Sequence, residues 1–178
     1  MRWRNRLIRV GAVSLVVVKM IDVDDVIDML SKLSYEEALA YWISGEKEEA
    51  KLYGELAERA RALGLGESIA RVFEKLSKDS QRHAEELTKI FRKNFSREPK
   101  TDIPPVEVLS VLDKFERADQ IKEVLEAAMG SELTAHKVYK LLAEKVKDER
   151  LKELYLRLAD VERLHYEALK EEYEKLGD

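Results

Sequence analysis

The sequence predicts an all-α domain built as a four-helix bundle, and three observations carry that prediction. Only seven glycines and three prolines interrupt 178 residues, and Glu, Lys, Arg, Leu and Ala dominate the rest, a composition typical of long helices. Apolar residues recur at three- and four-residue spacing through four segments of about 29 residues, each roughly 43 Å long as a helix. Two short turns and one long proline-bearing link separate these segments, which suits two antiparallel hairpins joined by a crossover along the bundle.

Residues 1–33 are expected to form an N-terminal arm and residues 34–178 the bundle. In the arm, Arg2, Arg4, Arg6 and Arg9 precede an apolar run from Val10 to Val18. That run is far short of the about 20 apolar residues a membrane span needs, and no small-residue cleavage motif follows it. A mistaken start upstream of Met20, or a disordered or strand-like arm, is therefore preferred to a signal peptide.

Ser34 with Glu37 in "SYEE" makes a capping box, so the first long helix should begin there and run to about Leu63, where "LGLGE" ends it. The second should run from about Gly66 to Phe95. The stretch "SREPKTDIPPVEV" then breaks the pattern with Pro99, Pro104 and Pro105, and a short helical piece is expected after it. The third helix is expected from about Arg117 to Lys147 and the fourth from about Asp148 to Leu176.

Charged residues make up 38% of the chain at a net charge of −4, with both signs interspersed. Without a basic block there is no reason to expect a nucleic-acid partner, and a soluble, cytoplasmic protein is expected, with no membrane association. The absence of cysteine excludes disulfides, thiol catalysis, cysteine-ligated zinc and a rubredoxin-type iron centre. High charge with few amide side chains is also a hyperthermophile-like composition.

The hairpins repeat one another. Glu46 precedes Tyr53 by seven residues, as Glu132 precedes Tyr139, and "YGELAE" matches "YKLLAE". On the second helix of each pair an aromatic residue stands ten before a histidine, Phe73 before His83 and Tyr155 before His165. The inward stripes at helical spacing are apolar at both ends and polar in the middle: Glu46 on the first, Ser80 and His83 on the second, Glu132 on the third, Glu162 and His165 on the fourth. Three glutamates converging on one core level would repel or be forced to protonate, and a cation resolves the conflict. Carboxylates with imidazoles suit iron, manganese or zinc, and the i, i+3 placement of Glu162 and His165 puts both on one helix face. Tyr53 and Tyr139 are candidates for hydrogen-bond donors to the ligand carboxylates.

On these motifs, residues 34–176 resemble the ferritin-like diiron carboxylate proteins, and within them the rubrerythrin-like group. The family places one Glu on the first and third helices and Glu-x-x-His on the second and fourth. Glu46 with Tyr53, Glu132 with Tyr139, and "ERLH" from Glu162 to His165 match that pattern. The second-helix motif is broken: "SQRH" keeps His83 but has Ser80 where the family has a bridging glutamate. Asp79 could replace it only by local distortion, because it points about 100° away around the helix. Glu49, one turn after Glu46, could swing into the site and is the favoured repair. The remaining alternative is a site with one metal or weak binding. The extra third-helix glutamate of rubrerythrin-like proteins is Ala135 here, and His136 is expected at the rim.

The resemblance implies a non-haem centre, with two irons expected and manganese or zinc as alternatives, reacting with peroxide or dioxygen as a peroxidase or ferroxidase. With no rubredoxin domain, electrons would come from an external donor. A homodimer is also expected. The alternative reading is a metal-binding or structural bundle whose Ser80 marks a degenerate site; an iron-storage cage is a third possibility.

Overall fold

The structure is a computed structural model that describes residues 23–103 and 116–177. Helix α1 spans Val23–Leu30, α2 Tyr35–Ala62, α3 Glu67–Phe95, α4 Ile121–Lys145 and α5 Glu149–Lys175, with a short 3-10 turn, Ala118–Gln120, leading into α4. Among the described residues there is no strand.

Local chemistry fixes the helix ends. The Ser34 backbone N–H donates to Glu37 Oε2 at 2.9 Å and the Glu37 backbone N–H donates to Ser34 Oγ at 3.2 Å, completing the capping box at the start of α2. Gly64 and Gly66 carry the chain through the α2–α3 turn at φ of 69° and 88°, a region costly for a residue with a Cβ. Asp148 Oδ1 accepts from the backbone N–H groups of Arg150 and Leu151 and caps α5.

Helices α2 and α3 pack as one antiparallel hairpin and α4 and α5 as the other. Two apolar clusters show how the hairpins combine. One gathers Leu39 and Ile43 from α2, Leu87 and Phe91 from α3, Tyr139 and Leu142 from α4, and Leu151 and Tyr155 from α5. The other gathers Leu56 and Ala60 from α2, Ile69 and Phe73 from α3, Val124 and Leu125 from α4, and Leu169 from α5. Helix α3 therefore ends at the first cluster while α4 begins at the second, so the connection crosses from one end of the bundle to the other. The short helical piece expected in this connection, and the prolines Pro104 and Pro105, lie outside the described residues.

The N-terminal arm differs from expectation. Residues 1–22 lie outside the described part, but α1 is helical and buries Ile27 and Leu30 in the first cluster. The Tyr155 hydroxyl donates to the Leu30 carbonyl at 3.4 Å. The bundle therefore includes residues assigned to the arm from the sequence. Beneath α1, Trp42 makes edge-on contacts with Tyr41 and Tyr139, at ring-centroid distances of 4.5 Å in both cases. Together these rings close that end of the bundle with bulky apolar surface.

Replacing Ser34 by Ala removes one half of the capping box and should cost about 1 kcal/mol. Thermal unfolding followed by circular dichroism should register this as a loss of about 2–4 °C.

Candidate metal centre

Between the two apolar clusters lies a level of polar side chains, each delivered by its helix stripe. Glu46, Ser80, Glu132, Glu162 and His165 are buried, with Glu49 and His83 partly so. His165 Nδ1 stands 3.4 Å from Glu49 Oε1, 3.5 Å from Glu162 Oε2 and 3.8 Å from Glu132 Oε2. One potential ligand atom from each of Glu49, Glu132, Glu162 and His165 lies within 4.8 Å of the others. Beside them, His83 Nδ1 and Glu46 Oε2 face each other at 3.5 Å, and the two imidazoles stack at 6.1 Å between ring centroids.

The remaining candidates have separate roles. Tyr53 donates its hydroxyl to Glu132 Oε1 across the bundle, tying α2 to α4. The Tyr139 ring packs edge-on against Trp42. Ser80 Oγ donates back to the Leu76 carbonyl at 3.0 Å. Asp79 accepts from Arg82 at 3.0 Å and lines an outer groove with Arg71, Glu74, Lys75 and Lys78, so it does not turn inward to replace the missing glutamate. His136 uses Nδ1 on the Ala159 carbonyl at 2.6 Å, an α4–α5 tie away from the carboxylates.

The electrostatics are those of a negatively charged centre removed from water. Burial, with Glu132 adding repulsion, pushes the Glu46 carboxyl up to about 8 despite the opposing charges of His165 and Arg157. Burial and Glu132 likewise push Glu49 up to about 8. Glu162 is raised well above the ordinary range by burial and by the Glu49 and Glu132 charges. For Glu132, burial is outweighed by contacts with His165, Glu162 and Tyr53, and its carboxyl is held low. His165 is raised: burial favours its neutral form, but the carboxylates around it prevail. Burial, reinforced by the charge of His165, lowers His83.

The donor set fits a metal ion. Glu46 Oε2, Glu162 Oε2, His83 Nδ1 and His165 Nδ1 are buried without a hydrogen-bond partner, although such atoms normally find one. Converging carboxylate oxygens and imidazole nitrogens are the ligand types that suit iron, manganese or zinc.

A comparison with protein families matches residues 37–120 and 123–178 to Rubrerythrin. The chain belongs to the rubrerythrin family. A hypothetical protein from Pyrococcus furiosus has a similar solved structure, at 28% identity and a TM-score of 0.57, covering 83% of this chain and 93% of that one. No curated protein matches the chain. Set against the ligand pattern that the resemblance implies, Ser80 on α3 and Ala135 on α4 stand where glutamates are expected, and Glu49 on α2 reaches the cluster around His165. Arg157 was not singled out from the sequence. It acts on Glu46 and pairs with Glu86 across the α3–α5 seam, but an Arg and a Glu on outer helical positions carry no signal that separates them from ordinary solvated charges.

The metal-free protein should lose stability as pH rises from about 5 to 8. Over that range the folded chain retains protons on Glu46, Glu49 and Glu162, whose pKa values are raised, whereas the unfolded chain has released them. His165 acts in the same direction above its unfolded value, whereas the lowered His83 and, at the acid end of the range, the lowered Glu132 oppose it. The expected decline is on the order of a few kcal/mol, read as a falling midpoint in urea unfolding after exhaustive chelation. A flat or rising profile would contradict this charge assignment.

Proposed function

We propose that this protein is a non-haem iron oxidoreductase that reduces peroxide or dioxygen at the polar level of the bundle, in the manner of a rubrerythrin-like peroxidase or ferroxidase. The observation that carries this reading is the convergence of Glu49, Glu132, Glu162 and His165 on one small volume, with buried atoms lacking protein partners. Two ions are the expected complement, with Glu46 and His83 serving beside the four. Manganese and zinc suit the same donors, but only a redox-active ion supports the proposed chemistry.

Glu49, Glu132, Glu162 and His165, with Glu46 and His83 beside them, would hold the iron, and bound iron would supply one-electron redox chemistry, the reduction of hydrogen peroxide to two waters taking two electrons and two protons. The carboxylates compensate the higher charge of the ferric product, and raised carboxyl pKa values mean that metal binding releases protons from the folded chain. Tyr53, whose own pKa burial and Glu132 raise well above normal, remains protonated and fixes the orientation of Glu132. The apolar clusters on either side separate the centre from the two ends of the bundle. Return to the ferrous state requires an external electron donor. Function in the cytoplasm as a homodimer, with no nucleic-acid partner, completes the proposal; among the described residues no helix is long and apolar enough to cross a membrane.

The test is equilibrium binding of ferrous iron under anaerobic conditions, followed by mixing with peroxide or with air. The wild type should bind iron, develop ferric absorption with one of the oxidants, and turn over only when a reductant is supplied. Glu162→Ala should lose most of the bound iron while retaining helical circular dichroism. Absence of iron binding, or bound iron inert to both oxidants, would refute the reading.

A further inference from the structure

We propose that the centre holds its ions unequally: Glu49, Glu132, Glu162 and His165 form a resident position, and Glu46 with His83 forms a second, exchangeable position for a divalent transition-metal ion beside the α3–α5 seam. This inference rests on the metal-centre reading above.

Three observations separate the two positions. The first is donor count. Three carboxylates and one imidazole bring ligand atoms within 4.8 Å of one another. The second position offers one carboxylate and one imidazole, facing at 3.5 Å. Fewer anionic donors hold a divalent ion less tightly and leave more of its coordination to water.

The second observation is that Ser80 cannot make up the difference. It is fully buried, and its hydroxyl already donates to the Leu76 carbonyl at 3.0 Å. The carboxylate missing from α3 is supplied from α2 by Glu49, which contacts His165 at 3.4 Å. The replacement therefore strengthens the His165 side and leaves Glu46 and His83 with no third protein donor from α3. Glu46 Oε2 and His83 Nδ1 are nonetheless buried and without hydrogen-bond partners, the condition of atoms prepared for a ligand.

The third observation concerns access. The His83 side chain is 14% exposed, whereas that of His165 is 4% exposed. Glu86, one turn along α3 from His83, pairs with Arg157 of α5 at the surface. The partly exposed imidazole and this exposed ion pair flank the second position. Exposed pairs of this kind contribute little energy and open readily. An ion in the resident position is enclosed by four protein ligands.

Calorimetric titration of the full chain with zinc(II), and manganese(II) titration followed by electron paramagnetic resonance, tests the assignment. Two binding events separated by about tenfold or more in affinity are expected, with the manganese spectrum changing from isolated to coupled ions as the weaker event fills. Glu46→Gln and His83→Ala should each remove the weaker event and leave the stronger within about threefold, whereas Glu49→Gln should weaken the stronger by about tenfold or more. Circular dichroism confirms that each variant folds, and the isosteric Glu46→Gln serves if His83→Ala does not. Two equal events, a single ion per wild-type chain, or loss of both events on substituting Glu46 would overturn the inference. A single ion would leave an iron-binding centre standing, whereas no binding of either metal would overturn that reading as well.

Discussion

The constraint on which the rest of the structure depends is the cost of placing several carboxylates at one level of a helical core. Isolated, each buried charge would be severely unfavourable, and close together they also repel. The protein meets the problem with protons, with one charged imidazole and with donors aimed at the oxygens. The Tyr53 hydroxyl donates to Glu132, and the charge of His165 lies among Glu49, Glu132 and Glu162. A metal cation satisfies the same atoms more completely, since it replaces several protons at once. The level is thus unfavourable as a piece of core and favourable as a coordination sphere.

Such a level can exist only because the apolar packing on either side of it is dense. The first cluster concentrates Trp42, Tyr139 and Tyr155 beneath α1, and the second relies on Leu56, Phe73, Leu125 and Leu169. These residues occupy the same stripes as the ligands, so the periodicity that builds each hydrophobic cluster also sets the rotation of each ligand about its helix. The short turns at Gly64 and at Asp148 fix the depth at which paired helices meet. Positioning the site and stabilising the fold are consequently one task, performed by one set of repeats.

This coincidence explains what was legible in the sequence. Glu46, Glu132, Glu162 and His165 fall on inward stripes at regular spacing, and the structure places all four in the core. The capping box at Ser34 and the glycines of the α2–α3 turn are local signals and mark the helix ends within a residue or two. Helix α1 carries the helical signal in Val23, Val26, Ile27 and Leu30, at i, i+3, i+4 and i+7, but over only two turns and beside an arm with an unrelated pattern. Glu49 was legible only as one repair among three. One turn beyond Glu46 but off the stripe centre, it reaches the site through the length of its side chain, which a helical wheel does not resolve.

Ser80, in place of the glutamate that the resemblance implies, and Glu49, beside His165, are best understood together. Counting Glu46, Glu49, Glu132 and Glu162, the centre has the same number of carboxylates as the pattern of one Glu on two helices and Glu-x-x-His on the other two. The anionic charge is therefore matched, with a carboxylate on α2 where the resemblance implies one on α3. Glu49 lies against His165. Because Coulomb attraction and coordination both act over a few ångströms, a constant total charge does not imply equal fields at the two ends of the site. This placement concentrates negative charge around the α5 imidazole and thins it around the α3 imidazole, which is the more exposed of the two. Geometry, and not charge count, then sets how differently the two ends of this centre treat an ion.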